Sequence, residues 1–167
     1  LAVQIKAALI AATVGLSPAA LAQESDKAKQ DDQQLERITV TAQKRVQSTQ
    51  EVPISVATLG GEKFDAIFAG GDDIQALAVK VPGLYAESSN GRAAPRFYIR
   101  GLGNTDFDLA ASQPVSIIMD DVVMENVILK SFPLFDIEQA EVIRGPQGTL
   151  FGRNTTAGIV KFSSVKP

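Results

Sequence analysis

The sequence predicts an α+β domain, a small mixed β-sheet with short helices and long loops, and three observations point there. Short runs in which apolar, often β-branched, residues alternate with polar ones recur along the chain and stop at Gly, Pro or Asp pairs, as strands and turns do. Two short segments instead space their apolar residues three and four apart, the period of a helix. No repeat of solenoid length is present, and strands interleaved with a few short helices fit a single layered sheet.

The elements follow in order. Lys6, the apolar run Ala7 to Leu16, the Ser17-Pro18 break and Ala20-Leu21-Ala22 together read as a signal peptide over residues 1–22. A membrane span needs about 20 apolar residues, more than this broken run offers. Residues 23–37 hold eight charged side chains and only Ala28 and Leu35 as apolar ones. That composition cannot offset the entropy of ordering, so the segment reads as a flexible polar tether. Ile38 to Ala42 alternates like a strand, and Ile54 to Thr58 does so after Pro53. Phe64, Ile67 and Phe68 mark a first helix stopped by Gly70-Gly71. Asp72 and Gln75 read as a capping box for a second helix with Ile74, Leu77, Ala78 and Val81 on one face, ended by Pro82-Gly83. Strands are then expected around Phe97 and Ile99, from Val115 to Met119, at Val122-Val123 after the Asp120-Asp121 turn, from Ala140 to Arg144, and from Ile159 to Phe162.

Composition removes whole classes of function. With no Cys and no His there is no disulfide, no thiolate or imidazole metal ligand and no Ser–His–Asp triad. No cofactor and no metal site is expected. A formal net charge of -3 argues against a nucleic-acid partner, which calls for a basic surface. Gly101-Leu102-Gly103 lacks the third glycine of a dinucleotide loop, where Asp106 stands, and Gly148 to Asn154 lacks the spacing and the Lys-Ser/Thr of a phosphate loop. Asp106 and Asp108 form no convergent constellation with other carboxylates, so an exported enzyme is the weakest reading.

What stands out is a set of motifs: ITVTAQKR at Ile38 to Arg45, VPISV at Val52 to Val56, IRG at Ile99 to Gly101, and EVIRGPQGTLFGRNTTAG at Glu141 to Gly158. Together they resemble the plug domain of TonB-dependent outer-membrane receptors, from Ile38 to the end of the chain. The resemblance divides the chain into a signal peptide (1–22), a tether (23–37), a TonB-box-like segment (38–45) and a plug (46–167). It departs from the family pattern at Asp121, where Gly is common, and at Ala157, where the family commonly has Gly-Gly. Such receptors close about 22 strands around the plug. At about 10 residues a strand, the barrel needs more than roughly 200 residues, which this chain does not hold.

The resemblance implies a gating module for energy-coupled uptake of a scarce nutrient such as a ferric siderophore, in the outer membrane. Its partners would be the periplasmic domain of TonB, a β-barrel, and a small nutrient ligand. Ile38, Thr39, Val40, Thr41 and Ala42 would be the TonB-binding segment, because an extended strand with a free edge can join another sheet; the alternative is the domain's first internal strand. Arg100 and Arg144 would pair with barrel carboxylates, as guanidinium suits, or stand as plain strand-end charges. Ser88, Ser89, Asn90, Arg92, Asn104, Asp106 and Phe107 lie in loops that would face ligand, or are ordinary surface loops. A second functional reading is a standalone exported periplasmic binding module derived from a plug.

Overall fold

A computed structural model of the chain describes residues 38–89 and 91–166. The signal-peptide and tether readings, and Asn90, lie outside the described residues. The elements run β1 (Thr39–Val40), β2 (Gln47–Ser48), β3 (Ser55–Gly60), α1 (Gly61–Phe68), α2 (Ala76–Lys80), β4 (Leu84–Glu87), β5 (Arg96–Ile99), β6 (Val115–Met119), β7 (Val122–Val123), a 3-10 turn (Val127–Lys130), β8 (Ile137–Arg144), α3 (Gly148–Phe151) and β9 (Gly158–Ser164).

Five strands form one mixed sheet in the order β3-β8-β9-β6-β7, with β6 parallel to β9 and the other pairs antiparallel. Two small hairpin-like sheets, β1-β2 and β4-β5, stand outside it. The period-two alternation read from the sequence sends side chains to both faces, and each face is covered. Val142, Val160, Ile117 and Phe162 join Phe64 and Phe68 of α1, Leu77 of α2, and Phe97 and Ile99 of β5 in the larger core. Ile143, Ile159 and Ile118 point the other way and pack with Val40, Ala42, Val52 and Phe151. Each such side chain contributes about 1.5–3 kcal/mol on full burial, so the sheet is held from both sides.

The fold class agrees with the sequence expectation. Local corrections have physical causes. The expected Asp72 capping box does not form: Gln75 is the N-cap of the second helix, with no side-chain cap, and Asp73 Oδ1 accepts from the Gln75 N–H at 2.9 Å in the turn ahead of it. Arg96, a charged neighbour of Phe97 in an alternating strand, is itself buried. The segment from Gly145 to Asn154 is not an open loop. Gln147 N–H and Gly145 N–H donate to the carbonyls of Thr155 and Ala157, α3 makes one helical turn, and Phe151 is buried.

The two departures from the family pattern are accommodated. Asp120 and Asp121 both take positive φ, 44° and 69°, as the hairpin turn requires. Asp120 answers that strain by accepting from the Ser164 N–H at 2.8 Å and its hydroxyl at 2.7 Å. Those two bonds hold the Asp120 carboxyl below the usual range. Ala157 is tolerated because the steric demand falls on the next residue. A Cβ on Gly158, where φ is 149°, would lie 2.3 Å from the Ile143 carbonyl oxygen.

Candidate functional site

Three groups of sequence-predicted residues can be located. The first is the N-terminal segment. Thr39 pairs with Ser48 and Val40 with Gln47, and the Ile38 carbonyl accepts from the Thr49 N–H and hydroxyl. Val40 and Ala42 are buried, while Ile38 and Thr39 are exposed. The expected free strand is therefore docked: its alternation places two apolar side chains under the sheet, and β2 takes one of its edges. The other edge meets side chains. Gln139 Nε2 donates to the Thr39 carbonyl at 3.0 Å, and Glu141 Oε1 accepts from the Thr41 N–H at 2.8 Å and the Thr41 hydroxyl at 3.0 Å. Lys161 Nζ donates to Thr41 Oγ1 at 3.0 Å and pairs with Asp121 at 3.1 Å. Sequence reading missed Gln139, Glu141 and Lys161; the signal available was polar residues at alternating positions of two central strands.

The second group is Arg100 and Arg144, which the fold brings to one turn. The Arg100 N–H donates to the Gly83 carbonyl at 2.8 Å, and Arg144 Nη2 donates to the Pro82 carbonyl at 2.8 Å. Arg100 is exposed and takes a positive φ of 52° ahead of Gly101. Arg144 is not a plain exposed strand-end charge: it is half-buried and also reaches Ser55 Oγ at 3.3 Å. Burial, and the Arg100 charge beside it, hold Arg144 below the usual arginine range. Among the described residues neither guanidinium has a carboxylate within ion-pair distance.

The third group is the loops. Ser89, Asp106 and Phe107 gather around Arg96, lining a small cavity with Gln113 and Val127. The Arg96 guanidinium lies 4.4 Å from the Phe107 ring, donates to Ser89 Oγ at 2.5 Å and sits 3.5 Å from Glu87. Arg96 Nε, the atom nearest Glu87, and Gln113 Oε1 are buried there without a hydrogen bond among the described residues. Tyr98 closes the back of the group, its hydroxyl 2.5 Å from Glu87. Burial first, and the Glu87 carboxylate second, push the Tyr98 phenol up. Asn104, Asp106 and Asp108 each accept from the N–H two residues on, so this stretch is a run of side-chain-closed turns. Ser88 instead bonds the Ala93 carbonyl, and Arg92 reaches towards Asp73 at 3.7 Å, away from the cavity. Arg96 and Gln113 were not singled out from sequence, because a buried Arg in an alternating strand looks like a solvent-facing one.

Comparison with known proteins fits this geometry. The chain is 26% identical over 136 residues to the vitamin B12 transporter BtuB of Vibrio vulnificus, covering 78% of this chain and 21% of that protein. It is 29% identical over 142 residues to the pesticin receptor of Yersinia enterocolitica, covering 83% and 20%. The chain thus spans about a fifth of the length of these curated relatives. Among solved structures, the ferric yersiniabactin uptake receptor FyuA of Yersinia pestis aligns with a TM-score of 0.60 at 24% identity, over 68% of this chain and 17% of that one. The ferripyoverdine receptor of Pseudomonas aeruginosa aligns at 0.58 and 18%, over 78% and 16%. These likenesses show a shared fold. The family model described as the TonB-dependent Receptor Plug Domain matches residues 48–159, well over half of the sequence, and the chain belongs to that family.

Proposed function

We propose that this domain is the gating plug of an energy-coupled outer-membrane receptor for a scarce nutrient, such as a ferric siderophore, that residues 38–42 are its TonB-binding segment, and that Arg100 and Arg144 seat it against an acidic barrel wall. The role is transport rather than catalysis. One observation carries the reading: at the Pro82-Gly83 turn, where Arg100 bonds by its backbone N–H and Arg144 by its guanidinium, the two charges are near enough for Arg100 to lower the pKa of Arg144, and neither has a carboxylate beside it among the described residues. A free-standing domain gains nothing from that repulsion, whereas a wall carboxylate would bind the pair through charge-assisted, bidentate hydrogen bonds. The names of the relatives support a nutrient of this kind, since one is a vitamin B12 transporter and a solved structure of like fold is a ferric yersiniabactin uptake receptor.

The test of coupling is calorimetry of the exported chain with the periplasmic domain of TonB. Thr41→Pro removes the N–H on the edge away from β2 and should abolish binding, whereas Thr39→Val on the exposed side should be tolerated. Unchanged affinity for Thr41→Pro would make residues 38–42 an internal strand only. The test of seating uses a full receptor carrying this plug in an uptake assay. Arg100→Gln with Arg144→Gln should cut uptake at unchanged receptor abundance; uptake at the parental rate would overturn the seating role.

A further inference from the structure

We propose that Gln139 and Glu141 are positioning residues that cap the outer edge of the N-terminal segment by imitating a neighbouring strand, and so set how often that edge is open to a partner strand. The inference rests on the reading of residues 38–42 as the TonB-binding segment.

The geometry is that of an occupied edge. In an antiparallel pair, alternate residues turn their backbone groups towards the partner strand and the others turn away. Ile38 faces β2, since its carbonyl accepts from the Thr49 N–H at 3.0 Å. The carbonyl of Thr39 and the N–H of Thr41 therefore face outward, where an added strand would place one donor and one acceptor. Gln139 Nε2 supplies the donor at 3.0 Å, and Glu141 Oε1 the acceptor at 2.8 Å. The two caps come from the same face of β8, two residues apart, and Gln139 Nε2 also donates to Glu141 Oε1 at 3.1 Å, tying them into one unit. A partner strand has to displace this amide and carboxylate before it can pair with residues 39 and 41.

The caps also make the closed state self-consistent. Glu141 is 1% exposed, and its Oε1 takes three donors while its Oε2 has none. Two of those three donors belong to Thr41. When the segment leaves, Glu141 keeps only Gln139, so undocking must admit water or a new donor to a buried carboxylate. Lys161, opposite Glu141 in the β8–β9 register, holds the Thr41 hydroxyl from the other side and is itself fixed by Asp121. The segment's two-residue ladder with β2 is short, so these side-chain bonds form a large share of what retains it.

The experiment compares the exported chain with Glu141→Gln, which keeps shape and an acceptor but removes the charge, and with Gln139→Ala, which removes the other cap from a half-buried position. Hydrogen exchange of the Thr41 amide should quicken by about ten-fold in Glu141→Gln, as expected when a charge-assisted bond becomes a neutral one. In Gln139→Ala the gain should be smaller. Exchange of Val142 and Val160 in the core should not change in either variant. Because apparent affinity scales with the fraction of open molecules, the Kd for the TonB periplasmic domain should tighten by up to the same factor. Thr41 exchange at the parental rate in both variants would overturn the capping role. Faster Thr41 exchange with an unchanged Kd would uphold the caps and overturn the assignment of this edge to TonB. Core exchange rising in step with Thr41 would mean that the two residues only support the fold, and would overturn the proposal.

Discussion

Lys130 is the most exacting test of the packing described here. It lies at the end of the 3-10 turn, is 2% exposed, and donates from Nζ to the Val115 carbonyl at 3.0 Å. Burial lowers its pKa to about 8 from 10.5, with Glu125 opposing the shift only weakly. Below pH 8 the side chain is charged in both the folded and unfolded states, and the folded state bears the full desolvation cost. A shift of this size corresponds to about 3 kcal/mol. Between pH 8 and 10.5 the unfolded chain binds more protons at this position, so the contribution to stability rises with pH and the cost is gone above 10.5. Lys130→Met keeps the length and removes the charge, at the expense of one hydrogen bond worth about 1–2 kcal/mol. The variant should therefore be more stable at pH 7 by about 1–2 kcal/mol, and the advantage should reverse by pH 11.

Urea unfolding of both proteins from pH 6 to 11 measures this. The difference between them isolates Lys130, since Tyr98 and the other lysines titrate in both. A difference that does not change across pH 8–10.5, or a variant less stable at pH 7, would refute the argument. Either result would mean that water reaches the ammonium group and that the 3-10 turn is not packed as described.

Other expectations are simpler. A Cβ on Gly103 would lie 1.8 Å from the Tyr98 ring, so Gly103→Ala should lose about 1–3 kcal/mol from overpacking. Tyr98→Leu in the same chain should recover part of it, read by thermal or urea unfolding. Gly158→Ala meets the Ile143 backbone carbonyl at 2.3 Å as well as Ile99 Cδ1 at 2.9 Å, and should abolish folding at 37 °C by circular dichroism. Arg100→Gln should change the stability of the domain alone by less than about 0.5 kcal/mol, because the side chain is exposed. In hydrogen exchange, the amides of Asp106, Asp108 and Ala110, each held only by a neighbouring side chain on an exposed loop, should exchange fast. Those of Gln147 and Phe151 should be protected, contrary to what the glycine-rich sequence around them implies.

Legibility in the sequence tracked how local each cause was. The strands carrying Val115 to Met119 and Ile159 to Phe162, the Asp120-Asp121 hairpin and the helix at Phe64 to Phe68 were readable because alternation, helical spacing and turn chemistry are all near-neighbour signals. The parallel pairing of β6 with β9 and the central place of β8 were not, since pairing partners far apart in sequence leave no mark on either strand alone. The same limit governs the site. Arg100 and Arg144 could be named from their positions before Gly, but their meeting at Gly83 joins residues from three segments. Arg96 and Gln113, 17 positions apart, share a cavity that neither local pattern announces.

The polar residues of β8 and β9 show why the misses matter. On strands buried on both faces, a Glu and a Lys read as errors in an apolar pattern, because burying charge without partners costs several kcal/mol. Glu141 and Lys161 stand opposite each other yet do not pair directly; Glu141 is held at Oε1 alone, by Thr41 and Gln139, and Lys161 by Thr41 and Asp121. Their burial is thus conditional on a segment 100 residues earlier staying in place. The larger core around Val142 and Val160 has no such dependence and closes on apolar contacts alone. The two faces of the sheet therefore differ in what closes them. Removing the N-terminal segment would uncover Ile118, Ile143 and Ile159, which Val40 and Ala42 cover, and would strip Glu141 of two of its donors, while the apolar cluster on the other face holds no residue of that segment.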